Sequence, residues 1–237
     1  MDLSVIVPVH NESANVPLVV AELAAALAGH RDAEMLVVDD GSTDDTVARL
    51  VDARASNPSL RIIRHCGNFG QSAALWTGAL AARGEWLVTL DGDLQNDPAD
   101  IERLRAAVAA DPSLALVVGQ RVRRQDDWVR KLSSRVANGV RRRVLHDGTL
   151  DTGCGLKLVR RSVFLALPYF DHMHRFVPAL VQRAGGRVQS VAVGHRPRGA
   201  GRSHYGVLDR LWVGIIDIAG VAWLQRRARN GVRAEEL

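Results

Sequence analysis

The chain has 237 residues, of which 47% are hydrophobic and 24% charged, a globular composition with length enough to bury its own core. Its two cysteines, Cys66 and Cys154, are too few for a disulfide framework and lack metal-ligand spacing, which fits a reducing cytoplasm. A net charge of +5 favours an anionic partner, whether nucleotide, nucleic acid or acidic membrane, and no signal peptide is expected where Met1-Asp2 leads straight into a strand-like run.

Leu3–Val9 reads as a first buried strand, ending at His10-Asn11-Glu12. Asn15–Leu27 has helical spacing, and Glu34–Val38 is a second strand ending in Asp39-Asp40-Gly41-Ser42. Ser42 or Thr43 is placed to cap a helix beginning Asp44-Asp45-Thr46, with acids in its first turn. Leu60–Arg64 is a short third strand, and Gly67-Asn68-Phe69-Gly70-Gln71 turns into a helix over Ser72–Ala82. Trp86–Leu90 is a fourth strand; a helix from Pro98 to Ala110 and a fifth strand, Leu114–Val118, follow.

Strands alternating with helices predict a mostly parallel sheet covered on both faces, which binds ligands at the carboxyl ends of its strands. Three strands end in polar clusters on that edge: His10-Asn11-Glu12, Asp39-Asp40-Gly41-Ser42 and Asp91-Gly92-Asp93. Neither GxGxxG after the first strand nor GxxxxGK[ST] is present, which argues against a dinucleotide enzyme or a P-loop phosphotransferase. In extended backbone Asp91, Asp93 and Gln95 share one side, and Gly92 lets the backbone approach a ligand. Three oxygen-bearing side chains suit a hard cation, Mg²⁺ or Mn²⁺, that also binds phosphate. The plainer alternative is an acidic turn ahead of the helix at Pro98.

The second half is basic. Leu132, Val136, Val140 and Val144 recur every four positions among Arg130, Lys131, Arg135 and Arg141-Arg142-Arg143. Such a helix is either a solvated charged face or a surface for acidic head groups. Asp151–Gly155 is a glycine-rich turn, and Arg160-Arg161-Ser162 precedes a short helix to Leu167. Asp171–Pro178 leads another helix to Ala184, whose His172 and His174 point to different sides and suit hydrogen bonding better than metal ligation. After a strand over Val188–Val193, the loop His195–Tyr205 carries arginines and glycines fit to clamp phosphate. Leu211–Leu224, with Trp212, Trp223 and the lone charge Asp217, is too short for a comfortable span. It suits a helix in the membrane interface or one in a core or oligomer contact.

Four motifs, Val7–Glu12, Val38–Asp44, Asn68–Gln71 and Asp91–Gln95, mark a superfamily. Gly119-Gln120-Arg121, Arg130–Ser134, Asp151–Gly155, His174–Pro178 and Arg198–Gly206 continue the pattern over nearly the whole chain. The chain resembles the family-2 glycosyltransferases of GT-A fold, and within them the dolichol- and undecaprenyl-phosphate sugar synthases. The resemblance implies an α/β, Rossmann-like domain with a nucleotide-sugar half (1–120), an acceptor half (121–204) and an amphipathic membrane-associating segment (205–237). It implies that Pro8, His10, Asn11, Glu12 and Gln71 line the donor pocket, with Asp39 and Asp40 at uracil or ribose. Asp91 lies against ribose or diphosphate, and Asp91, Asp93 and Gln95 hold Mg²⁺ or Mn²⁺. Arg121, Arg130 and Ser134 receive the lipid phosphate, and Arg198 and Arg202 sit near the donor or acceptor phosphates. His204 departs from the lysine that relatives often carry, which makes any phosphate contact there pH-dependent.

The implied reaction is inverting transfer of a sugar from a UDP- or GDP-sugar to polyprenyl phosphate. The enzyme would sit peripherally on the cytoplasmic membrane face, with oligomeric state open and no nucleic acid bound. A phosphate monoester is already ionised at neutral pH, whereas a hydroxyl acceptor needs a base, for which Asp151 and Asp171 are the available carboxylates. A saccharide-hydroxyl acceptor is therefore the main alternative. A sugar-nucleotide nucleotidyltransferase would want a Gly-rich, Arg-containing loop where Pro8-Val9-His10-Asn11 stands. A basic nucleic-acid module would leave the acids at the strand ends unexplained.

Overall fold

The computed structural model describes residues 2–30, 32–122, 139, 141–197 and 207–228, with only the backbone of 207–213. Its centre is a seven-stranded sheet built from β1 (Leu3–Val9), β2 (Ala33–Asp39), β3 (Leu60–Arg64), β4 (Trp86–Thr89), β5 (Leu114–Arg121), β6 (Lys157–Arg160) and β7 (Arg187–Val193). The strand order is β3-β2-β1-β4-β6-β5-β7. β6 runs antiparallel to both of its neighbours, and every other pair is parallel. Six strands therefore present their carboxyl ends on one edge, and β6 presents its amino end there.

Alternation within β1 explains why the sheet is covered on both faces. Val5 and Val7 face one core with Val16, Val19 and Leu23 of α1 (Val16–Leu27) and Ile101, Leu104 and Val108 of α4 (Ile101–Ala110). Ile6 faces the other, with Ala74, Leu75 and Ala79 of α3 (Gln71–Ala81) and Val177 and Leu180 of α6 (Val177–Arg183). Further helices are α2 (Thr46–Ser56), the single turn α5 (Arg161–Leu165) and α7 (Val207–Arg226), and residues 141–145 are also helical. α7 packs on α6 through Val221, where Arg183 Nε donates to Leu224 O at 2.9 Å. Among the described residues no helix is long and apolar enough to cross a membrane.

The structure departs from the sequence expectations at several elements, among them the helix expected from Pro98, which opens as a 3-10 turn, Pro98–Asp100, before α4. β6 was not anticipated: Lys-Leu-Val-Arg is four residues long and starts on a charge, too short to show a period. α2 begins at Thr46, after Asp44 and Asp45, and its first turn holds no acid. Asp44 Oδ1 accepts the Thr46 N–H at 3.0 Å, while the Ser42 hydroxyl accepts the Asn11 N–H at 2.9 Å instead of capping the helix. Residues 91–95 are not extended, because the strand stops at Thr89 and Leu94 adopts φ +64°. The helix expected from Asp171 to Ala184 is a 3-10 turn, Met173–Arg175, entered through His172 at φ +63°, and only then α6.

That 3-10 turn is fastened to α3 by one side chain. Ser72 Oγ accepts the backbone N–H of His174 at 3.3 Å and lies 2.8 Å from His174 Nδ1, which suits a neutral imidazole accepting the hydroxyl proton. Burial holds the His174 pKa well below the ordinary histidine value, and the nearby Arg175 and Lys157 charges push it the same way. The unfolded chain therefore takes up this proton first as pH falls. His174 contributes stability above about pH 6.5 that is lost below it, by at most about 1.4 kcal/mol per pH unit. Urea denaturation between pH 7.5 and 5.5 should show a smaller acid loss in His174→Gln than in the native sequence.

Candidate active site

The ends of β1 and β2 are knitted together. His10 Nδ1 lies 2.8 Å from Asp40 O, and Asn11, at φ +54°, accepts the Thr43 N–H on Oδ1 at 2.8 Å. The Glu12 N–H donates to Thr46 Oγ1 at 2.9 Å, and Asn15 Nδ2 donates to the Glu12 carboxylate at 2.5 Å. Pro8 pairs with Val38 in the parallel register. These residues gather at one end of the sheet, as their shared position at strand ends predicts.

Asp39 and Asp40 do something the sequence did not reveal. Asp40, only 4% exposed, accepts the Phe69 N–H at 2.9 Å and the Gly70 N–H at 2.7 Å, with His65 Nδ1 2.8 Å away. Asp39 is fully buried; it accepts the Ser42 N–H and lies 3.4 Å from Arg64 Nε. Both carboxylates shape loops. The Asp40 contacts hold out a turn that exposes the Phe69 ring and leads into Gln71. A signal for this was present, since an acid at a strand end can satisfy the amides of a glycine-rich turn as readily as it can bind a ligand.

Gln71 reaches the other cluster, its Nε2 donating to Asp91 Oδ1 at 2.8 Å. Burial raises the Asp91 pKa, the charge of Asp93 raises it further, and Lys157, Arg121 and the Gln71 hydrogen bond oppose both. Asp93 Oδ1 accepts the Gln95 N–H at 3.1 Å, and the Gln95 carbonyl accepts from Arg196 N at 2.9 Å. Arg196 also bonds Glu22 and Asp97, pinning this turn from outside. Gly92 is needed for packing: a Cβ there would lie 2.8 Å from Val9 Cγ1 and 3.2 Å from Pro8 O.

A third cluster faces these from β5 and the turn before β6. Arg121, at the end of β5, binds Asp151 with both arms, Nε to Oδ2 at 2.7 Å and Nη2 to Oδ1 at 2.8 Å. Gly155 lies against Asp91 so closely that a Cβ would meet the carboxylate at 2.3 Å. Lys157 is buried, and its ammonium donates to Cys154 O at 2.5 Å. Burial lowers the Lys157 pKa, with Cys154, Asp91 and Asp151 opposing.

Asp91, Asp93, Gln71, Arg121 and Asp151 thus share one edge, and Lys157, which sequence reading passed over, lies with them. Arg130, Ser134, Arg198, Arg202 and His204 lie outside the described residues, as do Leu132, Val136 and Val140. Val144, from the same apolar stripe, is exposed. Among the described residues no three His, Cys, Asp or Glu side chains form a ready-made metal site. Among the described residues Asp91 has no ion-pair partner within 4.0 Å, and it stands beside a second carboxylate, Asp93, so that the two offer hard oxygen donors. The pair fits a divalent cation that completes its shell with phosphate oxygens.

Residues 4–167 match the model of the glycosyl transferase family 2. The chain is 38% identical over 240 residues to the dodecaprenyl-phosphate galacturonate synthase of Rhizobium johnstonii, covering 98% of this chain and 70% of that protein. It is 34% identical over 208 residues to the undecaprenyl-phosphate 4-deoxy-4-formamido-L-arabinose transferase of Aeromonas hydrophila, covering 87% of this chain and 63% of that protein. Among solved structures, the Mycobacterium tuberculosis glucosyl-3-phosphoglycerate synthase in complex with Mn²⁺, uridine diphosphate and phosphoglyceric acid superposes with a TM-score of 0.72. That likeness, at 21% identity over 96% of this chain and 79% of the other, concerns the fold. Fold, strand-end carboxylates and sequence agree: the chain belongs to glycosyl transferase family 2, and it is a glycosyltransferase of GT-A-like α/β fold.

Proposed function

We propose that the chain transfers a sugar from a UDP-sugar to a polyprenyl phosphate, with inversion at the anomeric carbon and a divalent cation, Mg²⁺ or Mn²⁺, at Asp91 and Asp93. The observation that carries this reading is the 38% identity, over 98% of the chain, to a protein named for a dodecaprenyl-phosphate product. UDP is favoured over GDP because the solved relatives of this fold hold UDP with Mn²⁺ or Mg²⁺.

Breaking the bond between sugar and diphosphate leaves negative charge on the diphosphate, and the bound cation would supply charge stabilisation there. This chain's own part is to fix the surroundings. Gln71 orients Asp91, Asp40 holds the turn that carries Gln71, and Asp93 is fixed against the backbone of Gln95. Arg121, already oriented by Asp151, brings positive charge to the acceptor side together with Arg130, Ser134 offers a hydroxyl donor there, and Arg198 and Arg202 serve the phosphates from the late basic loop. Asp151 is gripped at both oxygens and is poorly placed to take a proton, which favours an acceptor that arrives ionised.

The acceptor implies a peripheral seat on the cytoplasmic face of a membrane. On α7, Ile215, Ile216 and Trp223 face outward, followed by Arg226 and Arg227, a mixture that suits an anionic interface. Sedimentation with vesicles should show binding to anionic but not zwitterionic lipid at low salt, lost by 0.5 M NaCl at roughly a Debye length of 4 Å.

Incubating the protein with undecaprenyl phosphate, Mn²⁺ and a panel of radiolabelled UDP-sugars that includes a uronic acid should place label in the organic phase. EDTA should abolish it, and Asp93→Ala should lower it by about 100-fold or more. Label appearing only in a saccharide acceptor would overturn the reading.

A further inference from the structure

The turn from Asp151 to Leu156 touches both sides of the site. Its Gly155 lies against the Asp91 carboxylate, and its Asp151 grips Arg121. Further contacts hold it. Thr89 Oγ1 donates to Gly155 O at 2.6 Å from the end of β4, and Gly119 N donates to Leu156 O at 2.9 Å from β5. Asn96 Nδ2 lies 3.5 Å from Cys154 Sγ beyond the acidic turn. Another comes from within: Lys157 folds back so that its ammonium donates to Cys154 O. Lys157 pairs with Thr89 on one side and Val118 on the other, so it stands between the strand that leads to Asp91 and the strand that leads to Arg121.

A lysine 5% exposed, with one hydrogen bond among the described residues, is a poor way to stabilise a fold. An ammonium has three donors, and burying it costs several kcal/mol before pairing, so an apolar side chain of the same length would usually serve stability as well. Retaining the cation needs another reason, and its position supplies one.

We propose that Lys157 is a positioning residue: its ammonium clamps the Asp151–Leu156 turn and so fixes the donor-and-metal carboxylate, Asp91, relative to the acceptor arginine, Arg121. The inference rests on the assignment of those two sides in the proposed function. Lys157 acts through the turn, by holding the peptide that Asp91 packs against and the carboxylate that aims Arg121.

The test is Lys157→Met, which keeps length and removes the clamp. Three quantities are read: the thermal midpoint, the calorimetric affinity for UDP in the presence of Mn²⁺, and the KM for undecaprenyl phosphate. The clamp requires the UDP–Mn²⁺ affinity to weaken about 10-fold or more, as supporting contacts behind metal ligands do. The acceptor KM should rise in the same variant, and the midpoint should not fall. Unchanged affinities, whether the midpoint is kept or lowered, would overturn the proposal, the second case leaving Lys157 a merely structural residue. Should Lys157→Met fail to fold, the isosteric Thr89→Val decides, since it loosens the same turn at Gly155 O: weakened UDP–Mn²⁺ binding with a kept midpoint supports the clamp, and unchanged binding sinks it. Calorimetry needs no lipid, so a native protein that binds UDP–Mn²⁺ but transfers sugar elsewhere disproves only the acceptor. One that binds neither UDP nor Mn²⁺ overturns both readings.

Discussion

A single reversed strand sets the geometry of this site. Parallel strands gather their carboxyl ends on one edge, but their connections leave from that edge to cover the sheet faces. β6 runs the other way between β4 and β5, so the segment arriving at it must pass along the same edge. That brings Asp151, Gly155 and Lys157 to the ends of β4 and β5. Without the reversal, Asp91 and Arg121 would belong to neighbouring strands with nothing polar wedged between them. With it, the carboxylate and the guanidinium are held by one turn.

The acids on this edge differ in how they are balanced. Asp40 is satisfied by two amides and His65, Asp151 by a bidentate arginine, and Asp39 by an amide and Arg64. Asp91 has an uncharged amide from Gln71 and another carboxylate nearby, with the more distant Lys157 and Arg121 charges only partly offsetting them. Desolvation disfavours the charged form of such a group, and a like charge disfavours it further. The arrangement is tolerable in a site that expects a cation and wasteful elsewhere.

How much of this was legible in the sequence depended on whether a residue's surroundings are local. β1 and β3 were read with their observed bounds, because an apolar run that ends on polar residues is its own evidence. The shared edge followed from the alternation of strands and helices. β6 was invisible, since what makes Lys157–Arg160 a strand is two neighbours distant in the chain, not any period of its own. The face shared by Asp91, Asp93 and Gln95 was inferred from extended geometry, and a left-handed Leu94 removes that premise while still leaving Asp93 close enough to act on Asp91. That Asp40 also accepts the amides of Phe69 and Gly70, about thirty residues later, could not be read from the sequence, because those partners are distant in the chain.

α7 carries the same logic of surroundings to the far end of the chain. A helix of a water-soluble surface usually turns its charges outward and its apolar side chains inward. Here Asp217 points toward His172, whose Nδ1 lies 3.5 Å from Oδ2, an oxygen that is buried without a hydrogen bond. Burial raises the Asp217 pKa, with the His172 and Arg175 charges opposing. Ile215, Ile216 and Trp223 meanwhile face outward. One exposed isoleucine calls for no explanation, but three large apolar side chains facing outward from one helix amount to a patch. The proposed seat at a bilayer surface would accept these apolar side chains together with the arginines that follow them, where water serves them poorly.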